Sequence, residues 1–178
     1  RGIRWISEPE FAVQFFSGPL IAVTGTNGKT TTTLLLGHLL ETAGVRVGVG
    51  GNVGGGLAPA ASELALMVPA PDWYVLEMSS FQLSAIQSFR PDVGVLTNSP
   101  PVHLLRYPPL QAHHADMARI LANADHHSTW VLPEGDGVVD SLIGNALGIR
   151  FYYVHVELSE PYALMTDGVL TLPFTHHR

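Results

Sequence analysis

Residues 23–37 read "VTGTNGKTTTTLLLG", and the apolar run "GPLIAV" (18–23) leads into them. The order is strand, tight turn, helix. Gly25 and Gly28 let the turn close so that successive N–H groups point at one spot, and the helix opening near Thr30 adds its positive end. Lys29 is placed to reach the terminal phosphates of a nucleotide, and the Thr30 hydroxyl to hold Mg2+. Gly25, Thr26, Asn27, Gly28, Lys29, Thr30 and Thr31 thus form a candidate ATP-binding loop. The strict pattern Gly-x4-Gly-Lys-[Ser/Thr] asks for glycine at 23, where this chain has Val23, so the cradle is a shortened form. An ordinary glycine turn before a threonine-rich helix start is the competing explanation. The strand before and the helix after favour the nucleotide. A dinucleotide-binding reading fails, because no three glycines of "GVGGNVGGG" (48–56) have Gly-x-Gly-x-x-Gly spacing.

Outward from the loop, strand-like and helix-like stretches alternate. Leu34, Leu35, Leu36, Leu39 and Leu40 cluster as on a helix packed against a sheet, and Gly44 is placed to stop it. "VRVGVGGNVGGG" (45–56) reads as a strand entering a glycine loop, followed by helix-like "LAPAASELALM" (57–67). "DWYVLEMSSFQL" (72–83) is an apolar strand ending on an acid, Glu77. A short helix in "QLSAIQSF" (82–89), a strand in "PDVGVLTN" (91–98), a helix in "LQAHHADMARILANA" (110–124) and a strand in "STWVLPEGD" (128–136) follow. This alternation predicts an α/β fold: a P-loop three-layer sandwich around a mostly parallel sheet. "RFYYVHVEL" (150–158), "YALM" (162–165) and "GVLTLPF" (168–174), divided by "SEP" and "TDG", predict a small antiparallel C-terminal extension. The expected organisation is a linker or the end of a preceding domain (1–18), a nucleotide-binding core (19–149) and a truncated extension (150–178).

Composition narrows the function classes. The chain has 178 residues, 46% hydrophobic and 13% charged, enough for one domain with a sizeable buried core. Its net charge of −6 carries no basic footprint for nucleic acid, and the absence of cysteine rules out disulfides and zinc ribbons. No apolar run reaches the roughly 20 residues that span a bilayer. The first residues, "RGIRWISEPEF", contain neither an initiator Met nor a signal peptide. The chain therefore reads as a segment of a cytoplasmic protein, expected to be a monomer. Three pairs, His113–His114, His126–His127 and His176–His177, lack partners at metal-binding spacing and read as solvated surface.

A metal-dependent nucleotide enzyme needs a carboxylate at the carboxyl end of a neighbouring strand, and Glu77 is placed for it. Together with that acid, "GTNGKTTTT", "GGNVG", "VLEMSSFQL" and "TNSPPVHLLRYP", in this order, resemble the central ATPase domain of the Mur ligases. "LEMSSFQL" is most similar to the members that add D-glutamate. The resemblance, from about Ile3 to Thr171, implies that ATP phosphorylates the carboxylate of UDP-muramoyl-alanine and that the D-glutamate amine attacks the acyl phosphate. It places Lys29 on the phosphates, Thr30, Glu77 and His103 on metal, and Asn52 and Ser79 near the muramoyl substrate. Lys29, Glu77 and His103 are the implied catalytic residues.

The chain also departs from the family. Where the pattern is Asn-x-x-x-Asp-His-Leu-Asp-Arg-Tyr, this sequence has "NSPPVHLLRY" (98–107), so Val102 and Leu105 replace two aspartates beside His103. Met117 stands where the resemblance implies a carbamylated lysine at a second metal ion, and a thioether is a poor ligand for Mg2+. These changes spare the cradle and weaken the second metal site, so nucleotide binding is expected and catalysis by this segment alone is not. The alternative is a non-catalytic or redesigned nucleotide-binding module with the same fold.

Overall fold

A computed structural model describes residues 5–54, 56–99, 110–153, 164–166 and 169–171. Six parallel strands form its centre: β1 (Leu20–Thr24), β2 (Val47–Gly51), β3 (Trp73–Glu77), β4 (Val93–Leu96), β5 (Thr129–Pro133) and β6 (Ile149–Tyr153). Their order across the sheet is β2-β3-β1-β4-β5-β6. The first strand is thus central, flanked by β3 and β4 on its two sides. Every residue of β1 is buried, as expected for a strand covered on both faces.

Among the described residues six α-helices accompany the strands: α1 (Glu8–Ala12), α2 (Lys29–Thr42), α3 (Ala61–Leu64), α4 (Ser80–Ser84), α5 (Leu110–Ala118) and α6 (Gly137–Ile143). Side-chain alternation along β1 splits the core in two. Ile21 and Val23 join Val75 and Val95 on one face, under Leu36 and Leu40 of α2. Leu20 and Ala22 face the larger cluster with Tyr74, Leu76, Leu83, Phe89, Leu96, Trp130 and Ile143, under the remaining helices. The predicted α/β three-layer arrangement is what the chain forms. Gly44, at φ 82°, ends the segment after α2 as expected.

Two segment assignments are refined. Residues 1–18 were expected to be a linker or the end of a preceding domain, and their described part packs onto the sheet. Ala12 is buried, and the Phe16 ring stacks on Tyr74 with centroids 3.7 Å apart. The buried Glu10 carboxylate accepts hydrogen bonds from the N–H groups of Gln87, Ser88 and Phe89 and from the Ser88 hydroxyl, clamping α1 to the α4–β4 connection. The second change concerns Arg150 to Tyr153, expected in the antiparallel extension. They belong to β6, which pairs in parallel with β5 from Thr129↔Ile149 to Pro133↔Tyr153. The cause is α6, a helix not anticipated because it opens on Gly137. It is capped by Asp136, whose carboxylate accepts from the N–H groups of Val138 and Val139, and it supplies the crossover that parallel pairing requires. The antiparallel element among the described residues is the pair β7 (Leu164–Thr166) and β8 (Val169–Thr171).

Candidate nucleotide site

The glycine loop leaves β1 at its carboxyl end, beside the carboxyl ends of β3 and β4. Val23, where the strict pattern has glycine, lies fully buried inside β1, so the turn begins two residues later. That turn requires Gly25. Its φ is 134°, and a Cβ there would lie 2.2 Å from Thr97 Oγ1 and 3.0 Å from the Asn98 carbonyl oxygen. Gly28, with φ 81°, caps α2 without any side-chain acceptor, leaving the N-terminal donors of a 14-residue helix facing the loop.

The loop is held from β4. Asn98 accepts from the Asn27 N–H at 3.0 Å and donates from Nδ2 to the Asn27 carbonyl at 3.0 Å. Thr97 Oγ1 donates to the same carbonyl at 2.6 Å, and the Thr26 N–H donates to the Asn98 carbonyl. Neither Thr97 nor Asn98 was singled out from sequence. Their position directly after an apolar strand, in the "TN" that opens the quoted family stretch, was the available signal.

On the other flank, Glu77 ends β3 and is buried. Thr30 Oγ1 donates to Glu77 Oε2 at 2.6 Å, and Asn52 Nδ2 donates to Glu77 Oε1 at 3.2 Å. The Asn52 N–H also reaches the Glu77 carbonyl, fixing the end of β2 against β3. Three residues far apart in sequence, Thr30, Asn52 and Glu77, therefore meet in one hydrogen-bonded group. Lys29 Nζ donates to the Thr26 carbonyl at 3.0 Å, so the ammonium lies folded over its own loop. The Thr26 hydroxyl is buried with no hydrogen-bond partner among the described residues, a polar group suited to an arriving anion.

Gly25, Thr26, Lys29, Asn52, Ser79, Ser80, Phe81 and His113 line a cavity of about 380 Å³. Ser79 sits in it as the N-cap of α4, in a capping box with Gln82: its Oγ accepts from the Gln82 N–H, and Gln82 Oε1 accepts from the Ser79 N–H. Thr31 is exposed on the first turn of α2. His103, Val102 and Leu105 lie outside the described residues. Met117 is fully buried and brings no charge. His126 and His127 are exposed as expected, but His113 and His114 are half-buried on α5, which corrects the solvated reading of that pair. Burial, then the neighbouring His114 and Lys29, hold the His113 imidazole below its ordinary pKa, against a smaller opposing pull from Asp116.

The donor set fits a magnesium nucleotide. Thr30 and Glu77 offer hard oxygen ligands side by side, and the loop offers N–H donors and one ammonium. Among the described residues no cluster of three or more His, Asp or Glu side chains is grouped to hold a metal without help. An ion here would be completed by phosphate oxygens. No helix among the described residues is long and apolar enough to cross a membrane.

Comparison with known proteins agrees with this geometry. The sequence profile of the Mur ligase middle domain matches residues 23–169. UDP-N-acetylmuramoylalanine--D-glutamate ligase from Christiangramia forsetii is 42% identical over 137 residues, covering 76% of this chain and 30% of its own length. The protein of that name from Pelotomaculum thermopropionicum is 38% identical over 178 residues, 99% of this chain and 38% of its own. The chain thus spans well under half the length of these relatives. Among solved structures, a UDP-N-acetylmuramoyl-L-alanyl-D-glutamate--2,6-diaminopimelate ligase superposes with a TM-score of 0.61 at 24% identity, over 82% of this chain and 34% of that one. A MurF ligase from Thermotoga maritima in complex with ADP superposes with a TM-score of 0.58 at 19% identity, over 82% and 35%. At such identities the structures speak to fold alone, whereas the profile match covers most of the chain from the glycine loop onward. The chain belongs to the Mur ligase family and carries its middle domain.

Proposed function

We propose that this chain is the ATP-binding part of a ligase that joins D-glutamate to UDP-muramoyl-alanine in building peptidoglycan precursors. The observation that carries the reading is the Thr30–Glu77–Asn52 group beside the Lys29 loop. In this reading the loop N–H groups and Lys29 bind the phosphates of ATP, and Thr30 and Glu77 hold Mg2+. The ion would supply charge neutralisation, so that an anionic carboxylate can approach an anionic phosphate. Asn52 and Ser79, which line the same cavity, position the muramoyl substrate with its carboxylate toward the terminal phosphoryl group. Transfer of that group forms an acyl phosphate and releases ADP; attack by the D-glutamate amine then forms the amide and releases phosphate.

The reported relatives are named as ligases, which favours this reading over a non-catalytic module of the same fold. The test supplies what the chain's span leaves out. Joined to the flanking regions of the Pelotomaculum relative, it should release phosphate only when both UDP-muramoyl-alanine and D-glutamate are present. Met117→Lys, Val102→Asp and Leu105→Asp together should raise that rate by orders of magnitude, because they restore charge around the transferring group. A restored chimera that binds ATP and still releases no substrate-dependent phosphate would contradict the ligase reading.

A further inference from the structure

The cavity beyond Lys29 has one wall contributed by α5, and His113 makes it. Met117, four residues later and on the same helical face, is wholly buried and offers no hydrogen-bonding group of comparable strength. The other lining residues among those described are Gly25, Thr26, Lys29, Asn52, Ser79, Ser80 and Phe81, none of them acidic. With an ammonium, an unpaired buried hydroxyl and the start of α2 beside it, the space suits an anion.

We propose that His113 donates a hydrogen bond to the terminal phosphoryl group of the bound nucleotide, making α5 a sensor of triphosphate against diphosphate. The inference rests on the ATP-binding reading above. Its grounds are positional: the lysine of such a loop reaches the terminal phosphates, and His113 lines the same cavity as Lys29. The half-buried ring, held below its ordinary pKa by burial, then by His114 and Lys29, carries an N–H donor in either protonation state. A diphosphate, one phosphoryl group shorter, would stop at the loop and leave α5 untouched.

The test compares ATP and ADP titrations, both with Mg2+, for the parent chain, His113→Phe, His113→Gln and His114→Ala. His113→Phe keeps the ring and loses the donor; it should weaken ATP about tenfold and leave ADP unchanged. His113→Gln, which restores an N–H donor, should recover most of the loss, and His114→Ala should behave as the parent. In a separate measurement on the unaltered chain, with 15N-labelled histidine, the His113 ring signals should shift with ATP and not with ADP. Equal weakening of both nucleotides, no weakening of either, or ring signals indifferent to ATP would overturn the inference while leaving nucleotide binding intact. A parent chain that binds neither nucleotide would overturn the ATP-binding reading, and this inference with it.

Discussion

Glu77 does two jobs that its sequence position alone suggested only in outline. It ends a buried strand, and its two carboxylate oxygens are shared between a hydroxyl from the helix after the glycine loop and an amide from the end of β2. Replacing it with glutamine preserves shape while removing the charge a hard cation needs and turning one accepting oxygen into an N–H donor. Glu77→Gln should therefore fold normally and lose most of the Mg2+-dependence of ATP binding, a drop of about tenfold or more in the affinity gained on adding Mg2+. Unchanged Mg2+ enhancement in that variant would remove Glu77 from the metal site. Gly25 gives a second prediction of the same kind. Its left-handed backbone and the 2.2 Å approach of Thr97 Oγ1 leave no room for a methyl group. Gly25→Ala should abolish nucleotide binding and lower stability by about 1–3 kcal/mol, read by titration and thermal unfolding.

Among the elements, α1 shows how a segment that looks like a linker becomes part of the core. Burial raises the Glu10 pKa, but the Ser88 hydroxyl and the N–H groups of Gln87, Ser88 and Phe89 outweigh it and hold the carboxyl below its ordinary value of 4.5. A depressed carboxyl contributes stability above the unfolded-state pKa and loses that contribution as pH falls through the folded-state value. Glu10→Gln should accordingly cost about 1–3 kcal/mol at neutral pH, and parent and variant should converge as pH falls through the carboxyl's depressed folded-state value. Denaturant titrations at several pH values check this, and a pH-independent difference would contradict the clamp. In the sheet, Gly94 on β4 leaves space for the buried Trp130 ring, whose Nε1 donates to the Leu147 carbonyl at 2.7 Å. A Cβ at 94 would meet that ring at 2.2 Å, so Gly94→Ala should destabilise by about 1–3 kcal/mol without touching the nucleotide loop.

Over the whole molecule, what could be read from sequence was whatever local residues dictate. The glycine loop, α2 and the apolar strands follow from turn chemistry and side-chain periodicity within a few residues, and the alternation of strands and helices gave the layered fold. Two features depended on long-range pairing and were missed. Residues 150–153 look like a hairpin strand locally, and only the α6 crossover makes them the sixth parallel strand. Asn98 and Thr97 look like an ordinary strand end, yet they brace Asn27 from a distance of 71 and 70 residues. Tyr153, at the end of β6, donates to the Thr97 carbonyl, tying the sheet edge back to that brace. The site is thus assembled where the carboxyl ends of β1, β2, β3 and β4 converge, and α5 closes one side. Of the expected site residues, His103 lies outside the described region, while Thr30 and Asn52 both hydrogen-bond Glu77.

The measurement that bears most directly on this arrangement is calorimetric titration of Mg2+-ATP into the chain and into Lys29→Ala. The parent should show saturable one-to-one binding and the variant a loss of at least about a hundredfold, since the ammonium is the loop's one full positive charge. Binding of equal strength in both, with the variant still folded, would show that the glycine loop is not the phosphate site.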